Sequence, residues 1–213
     1  LLIQRLSLSK KINQIVIAIP KNKKNKKLNI YLRKNKHQVF QGAEKNVLKR
    51  FYKATKLYKA DLVVRITGDC PLVDANIVDS LINKLIKNKK DYITNANPKT
   101  FPDGLDTEVF TFKSLEKAYK EASQQYDREH VTAFIRESGL FRVGNYFCEE
   151  DFSSERWTVD YPEDFQLVKA IIEKFNDSGK YFGFKDILKY KKSNPHIFEI
   201  NKNIIRNDGA LMN

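Results

Sequence analysis

Three short acidic segments hold the residue types that could do chemistry. Asp69 lies in Arg65-Ile66-Thr67-Gly68-Asp69-Cys70-Pro71, directly after the apolar run Leu62-Val63-Val64. Phe101-Pro102-Asp103-Gly104-Leu105-Asp106-Thr107-Glu108 supplies further carboxylates, and alternation along an extended chain puts those of Asp106 and Glu108 on one face. Asp160 ends Arg156-Trp157-Thr158-Val159-Asp160 and precedes Pro162. Two aspartates at the ends of separate strands could hold one Mg2+, which takes one or two protein carboxylates together with substrate phosphates. Such a magnesium would neutralise charge on a triphosphate during attack at phosphorus. Asp127-Arg128-Glu129-His130 is a fourth candidate, with His130 as general base or anion contact and Arg128 as a clamp for carboxylate or phosphate.

Each candidate also has a structural alternative. Gly68-Asp69 reads equally as a turn in which Asp69 caps the helix beginning after Asp74. Asp160 could cap the helix opened by Pro162, with Glu163 and Asp164 complementing its dipole. Asp103-Gly104 is a plausible turn, Asp106 could pair locally, and Asp127 could cap a solvated helical turn. The argument for chemistry is convergence, because ligands in open α/β sheets bind outside the carboxyl ends of the strands. No Ser-His-Asp or Cys-His constellation is identifiable. Cys70 and Cys148 are too few and too isolated for a disulfide framework or a zinc site.

The elements that must position these residues follow from periodicity. Gln14 to Ile19, Gln38 to Phe40, Leu62 to Thr67 and Tyr92 to Thr94 read as strands. Between them, Val47, Phe51, Ala54 and Tyr58 share one helical face, as do Ile77, Val78, Leu81, Ile82, Leu85 and Ile86. Thr107 to Phe112 is then an extended strand, followed by helices over Lys113 to Ala122 and Asp127 to Glu137. Phe141 to Phe147 is expected to pair antiparallel, and Arg156 to Asp160 to form a last strand. Pro162 opens a helix carrying Phe165, Val168, Ile172 and Phe175, and Phe184 to Tyr190 forms a terminal helix. Strands alternating with amphipathic helices give an α/β domain with a mixed, largely parallel sheet. We expect a single domain over 1–213, with 195–213 as a peripheral extension.

Composition narrows the classes. With 213 residues, ten Tyr, fourteen Phe, and only eight Gly and six Pro, the chain can build a core and is not a disordered polar sequence. No apolar run reaches membrane-spanning length and none resembles a signal peptide, so the expectation is a cytoplasmic protein with no membrane partner. The net charge of +13 raises nucleic acid as a partner. The densest cluster, Lys21 to Lys27, lacks interleaved aromatics and arginines and reads as a solvated loop. A nucleic-acid or polyanion module would also leave Asp69, Asp106 and Asp160 without a role, so no nucleic-acid partner is expected.

Together these segments resemble the cytidylyltransferase family that activates sugars as CMP derivatives. The resemblance is nearest to the spore-coat polysaccharide (SpsF-type) branch, related to the synthetases of CMP-Kdo and CMP-acylneuraminate. It rests on Val64 to Leu72, Thr100 to Val109, Arg128-Glu129-His130-Val131-Thr132 and Arg156 to Asp164. Phe40-Gln41-Gly42, Asn46 to Phe51 and Arg206-Asn207-Asp208-Gly209 add to it. The resemblance implies a nucleotide-diphospho-sugar transferase, Rossmann-like, three-layer α/β/α fold. It further implies transfer of CMP from CTP to a sugar hydroxyl, with a nonulosonic or octulosonic acid as acceptor and release of pyrophosphate, in surface polysaccharide or glycan biosynthesis. Asp69 and Asp160 would be the catalytic, magnesium-binding carboxylates. Arg65, Thr67 and Gly68 would lie on the substrate side, Asp103, Gly104, Asp106 and Glu108 at the sugar, and Arg128 and His130 at the acidic sugar or the phosphates. A homodimer is expected.

One departure stands out. Family members begin with a strand and a glycine-rich basic loop that grips the triphosphate through dense N–H donors and positive charge. This chain starts at Leu1, inside what reads as the following helix. The expectation is therefore a chain lacking that strand and loop, which as given would bind CTP poorly. A glycosyltransferase of the same fold is the alternative enzyme reading.

Overall fold

The computed structural model describes residues 1–176 and 181–204. Its elements run α1 (Leu2–Leu6), β1 (Val16–Pro20), α2 (Lys26–Lys34), β2 (Gln38–Gly42), α3 (Val47–Leu57), β3 (Leu62–Arg65), α4 (Ala75–Lys87), β4 (Tyr92–Thr94) and β5 (Glu108–Thr111). They continue with α5 (Phe112–Glu121), α6 (Gln125–His130), α7 (Ala133–Glu137), β6 (Val143–Asn145), α8 (Pro162–Asn176), α9 (Phe184–Ser193) and a 3-10 helix at Pro195–Glu199.

Strands β1 and β2 pair in parallel, while a second sheet has the order β3-β5-β4-β6. Strand β5 runs antiparallel to both of its neighbours and β6 runs parallel to β4, so β3, β4 and β6 point one way and β5 opposes them. The sheet is mixed, as the sequence pattern implies. Alternation along each strand separates two apolar faces. Val63, Phe110 and Tyr92 lie in register and pack against Leu48 and Tyr52 of α3, Leu115 and Ala118 of α5 and Ile135 of α7. Val64, Val109 and Ile93 face the other way, toward Val78, Leu81 and Leu85 of α4, Val168 and Ile171 of α8 and Ile187 of α9. Helices thus cover both faces, giving three layers. Burying each such aliphatic or aromatic side chain contributes about 1.5–3 kcal/mol.

Local signals set the helix that follows Asp69. Asp74 Oδ1 accepts from Asn76 N–H at 2.8 Å and caps α4, so Asp69 is not the cap. Further along, Asp164 Oδ2 accepts from the N–H groups of Asp160 and Tyr161 at 3.1 Å, so the turn before α8 is tied by Asp164 and not by the Asp160 side chain.

Several expectations are corrected. Strand β6 is shorter than the run Phe141 to Phe147 and pairs parallel to β4, with Tyr92 opposite Val143. Arg156 to Asp160 is extended but forms no strand. Its amides alternate between two loops, Trp157 N–H to Asp103 O at 2.7 Å and Val159 N–H to Asp69 O at 2.9 Å, leaving only a bridge between Asp103 and Arg156. The helix expected over Asp127 to Glu137 is broken at Val131 into α6 and α7. The Lys21 to Lys27 run is not all loop, because α2 starts at Lys26 and turns Leu32 inward. The segment after Asn194 is not peripheral as far as Ile204. Phe198 is buried against Trp157 and Tyr190, and Asn201 donates to Arg156 O at 3.0 Å and Asp164 Oδ1 at 2.7 Å. Arg206-Asn207-Asp208-Gly209 lies outside the described residues. Among the described residues no helix is long and apolar enough to cross a membrane.

Candidate active site

Strand β3 ends at Arg65, and the chain turns outward through Ile66 to Pro71. Asp69, half-buried there, accepts from Thr67 Oγ1 and from Cys70 Sγ, the latter at 3.4 Å. Burial, together with the nearby charges of Asp69 and Asp106, pushes the Cys70 thiol well up, so the sulfur keeps its proton and acts as donor. A Cβ on Gly68 would meet nothing within 4 Å, so the tip of this turn is open.

The Asp69 carbonyl ties this turn to the Asp160 segment. It accepts from Val159 N–H at 2.9 Å and from Thr158 Oγ1 at 3.0 Å. The Asp103 loop docks on the same segment: Asp103 N–H donates to Glu155 O at 2.8 Å. Gly104 sits at φ +95°, and a Cβ there would lie 2.5 Å from Thr158 N and Trp157 C. Only glycine satisfies both the left-handed backbone and the close approach. The Asp69 turn, the Asp103–Asp106 loop and the Asp160 segment, distant in sequence, therefore meet at one edge.

Arg156 is the centre of that edge. Its guanidinium donates to Asp164 through Nε at 2.9 Å and Nη2 at 2.8 Å, a bidentate pair. It also donates to Asp103 Oδ2 at 3.1 Å and Asp160 Oδ2 at 2.8 Å. Asp164 is fully buried and Asp103 nearly so, whereas the Asp160 side chain is 47% exposed. Among the described residues Arg156 thus faces three carboxylates, Asp103, Asp160 and Asp164, and the charges of Asp69 and Asp106 bear on the neighbouring Cys70. Asp69 and Asp160 offer hard oxygen donors at the open side, which fits Mg2+. Among the described residues no group of three or more His, Cys, Asp and Glu could hold a metal. Mg2+ needs only one or two carboxylates when phosphates complete its shell.

The other expected site residues divide. Glu108 is buried, and its carboxylate takes hydrogen bonds from Tyr92 Oη at 2.7 Å and Thr132 Oγ1 at 2.5 Å and an ion pair from Arg65. Burial works to raise its pKa, but Arg65 and the two hydroxyls hold it below the usual carboxylate value. Arg65 and Glu108 thus engage each other across β3 and β5, although Arg65 Nε is buried without a partner among the described residues. Arg128 donates to Ala122 O at 2.7 Å, and His130 is exposed against the ring of Tyr126 at 4.4 Å. Both lie on α6. Residues that the sequence reading passed over are Arg156 and Asp164 as ion partners, Asn201, Tyr92 and Thr132. The four- and eight-residue spacing of Arg156, Asp160 and Asp164 was the available signal.

A family model described as cytidylyltransferase matches residues 1–204. The chain belongs to the cytidylyltransferase family. A solved cytidylyltransferase from Leptospira borgpetersenii serovar Hardjo-bovis superposes with TM-score 0.86 at 30% identity, covering 96% of this chain and 85% of that one. The spore coat polysaccharide biosynthesis protein SpsF of Bacillus subtilis is 31% identical over 166 residues, 76% of this chain and 68% of its own. An uncharacterized protein of Methanocaldococcus jannaschii is 38% identical over 207 residues, 96% of this chain and 83% of its own. The CTP complex of CMP:2-keto-3-deoxy-manno-octonic acid synthetase, at 10% identity and TM-score 0.59 over 80% of this chain and 85% of that one, shares the fold. This cytidylyltransferase therefore has the nucleotide-diphospho-sugar transferase architecture, with its acidic cluster at the carboxyl edge of β3.

Proposed function

We propose that this cytidylyltransferase transfers CMP from CTP to the hydroxyl of a sugar acid, with release of pyrophosphate, in the assembly of a surface polysaccharide. The observation that carries the reading is the meeting of Asp69, the Asp103–Asp106 loop and Asp160 through the Asp69 carbonyl and the Arg156 guanidinium. Family membership supplies CTP as donor, and the Bacillus subtilis relative supports a role in polysaccharide synthesis.

In this reading Asp69 and Asp160 hold Mg2+, which when bound neutralises phosphate charge during displacement at phosphorus. The protein's own groups do the remaining work. Arg156 fixes Asp160 and Asp103 relative to each other. The Thr67 hydroxyl, by donating to Asp69 Oδ1, orients the carboxylate and leaves its other oxygen for the metal. Gly68 and Gly104 let ligand and backbone approach closely. Holding donor and acceptor in line in this way replaces a bimolecular encounter by an oriented one.

The test is pyrophosphate release by the whole protein with CTP and a panel of nonulosonic, octulosonic and neutral sugars. Release that depends on an acidic sugar is the expected result. No release with any acceptor, accompanied by consumption of a nucleotide sugar, would replace this reading with a glycosyltransferase.

A further inference from the structure

The turn between α6 and α7 is built against the preferences of its residues. Val131 has φ 59° and ψ −56°, a left-handed region that β-branched side chains rarely enter. The turn closes over one residue, with Thr132 N–H donating to His130 O at 2.6 Å, the geometry of a strained γ-turn. Outliers of this kind persist only where the surroundings over-determine them, and they concentrate at functional sites. Here the surroundings are explicit. The Val131 side chain is fully buried in the cluster of Leu48, Tyr92 and Leu115. Thr132 is fully buried too and donates its hydroxyl to Glu108 Oε1 at 2.5 Å. Glu108 is held by Arg65 of β3 and Tyr92 of β4 while itself belonging to β5. Three strands thus anchor one turn.

The product of this anchoring is the placement of His130. It is exposed, lies against Tyr126, and is joined to the sheet through the next two residues. Glu108 pairs in register with Arg65 and Thr94, the last residues of β3 and β4. The turn therefore stands at the carboxyl edge of the sheet, the edge that bears Asp69. Glu108 itself is poorly suited to touching the proposed substrate. Its oxygens are engaged, it is buried, and an acceptor-only carboxylate repels phosphates and sugar acids. An imidazole can donate to them.

We propose that Glu108 and Thr132 are positioning residues that hold the Val131 turn so that His130 is presented to the anionic substrate. This rests on the transferase reading above and changes the role of Glu108 from substrate contact to support.

The test uses Thr132→Val, Thr132→Ser, His130→Ala and the double variant Thr132→Val/His130→Ala in the whole protein. Thr132→Val and His130→Ala should each lower kcat/KM for the acceptor about 10- to 100-fold, the scale of a misplaced contact. Thr132→Ser, which keeps the hydroxyl, should restore the wild-type value. The double variant should lie within about two-fold of His130→Ala. Losses that multiply in the double variant, or wild-type kinetics in Thr132→Val, overturn the proposal. An NMR arm needs no turnover: in folded Thr132→Val the Val131 amide and His130 imidazole signals should move, and in Thr132→Ser they should not. Unmoved signals in Thr132→Val overturn the positioning role whatever the reaction. Moved signals with a wild-type protein that never uses CTP overturn the transferase reading and leave the positioning role standing.

Discussion

Removing the Arg156 guanidinium is the most informative perturbation of the fold that carries the site. Arg156→Met keeps the aliphatic stem and deletes the charge. The carboxylates left behind are not equal. Asp160 is about half exposed, and its pairing is worth little. Asp164 is fully buried and Asp103 nearly so. Stranding a buried partner costs about 3–5 kcal/mol, and for a domain of this size each kcal/mol lowers Tm by about 2–4 °C. The expected fall is therefore roughly 6–20 °C at neutral pH. Its pH dependence has a definite sign. Burial acts to raise the Asp164 pKa, but Arg156, Asn201 and the backbone N–H groups of Asp160 and Tyr161 hold it below the usual value. A depressed carboxylate contributes stability above its unfolded pKa of about 3.9, lost as pH falls through the lower folded value. In the variant the same carboxyl, still buried and without its guanidinium, titrates higher. The gap between wild type and variant should be widest near neutrality and shrink in acid. Thermal melts followed by circular dichroism across pH provide the assay. A Tm change under about 2 °C at neutral pH, or a gap that widens on acidification, would refute the reasoning.

Other outcomes follow from single contacts. Gly104→Ala, with φ +95° and backbone atoms 2.5 Å from the new methyl, should give little folded protein, read as soluble yield and a lost melting transition. Arg5 is buried and donates to Val73 O at 2.8 Å, Leu72 O at 3.2 Å and Phe182 O at 3.0 Å, holding the loop beyond Asp69. Arg5→Met should therefore lower unfolding free energy by about 3 kcal/mol, seen as a reduced urea midpoint at unchanged slope. Glu108, whose pKa is depressed, adds stability above its unfolded value that is lost in acid. Glu108→Gln should accordingly flatten the acid limb of the stability profile.

The elements that were legible in the sequence are those whose apolar residues alternate or repeat cleanly. Leu62-Val63-Val64 and Tyr92-Ile93-Thr94 could be read as strands because the two faces of β3 and β4 bury different helices. Helix α4 announced itself through Asp74 and the run Ile77 to Leu85. Strand direction was not legible: β6 carries no local signal that distinguishes pairing parallel to β4 from pairing antiparallel to it. Helix α2 was masked by its lysines, since it buries only Leu32. Arg156 to Asp160 looked like a strand because it is extended and half apolar, yet its amides serve the Asp69 and Asp103 loops. At the site, the acidic positions were visible, but their organiser was not. Arg156 gains its role from Asp103, more than fifty residues earlier, and from Asp164 one helix turn beyond Asp160. The break at Val131 was equally hidden, because the neighbouring Thr132 is tied to Glu108 of β5, more than twenty residues earlier.

The central claim is that the Asp69–Asp160 edge performs CMP transfer. It is tested most directly by following label from the α-phosphate of CTP in the whole protein, with magnesium and an acidic sugar, beside Asp69→Asn. The account predicts labelled CMP-sugar and equimolar pyrophosphate from wild type. It predicts neither from Asp69→Asn, although that variant melts like wild type. Undiminished transfer by folded Asp69→Asn would contradict it.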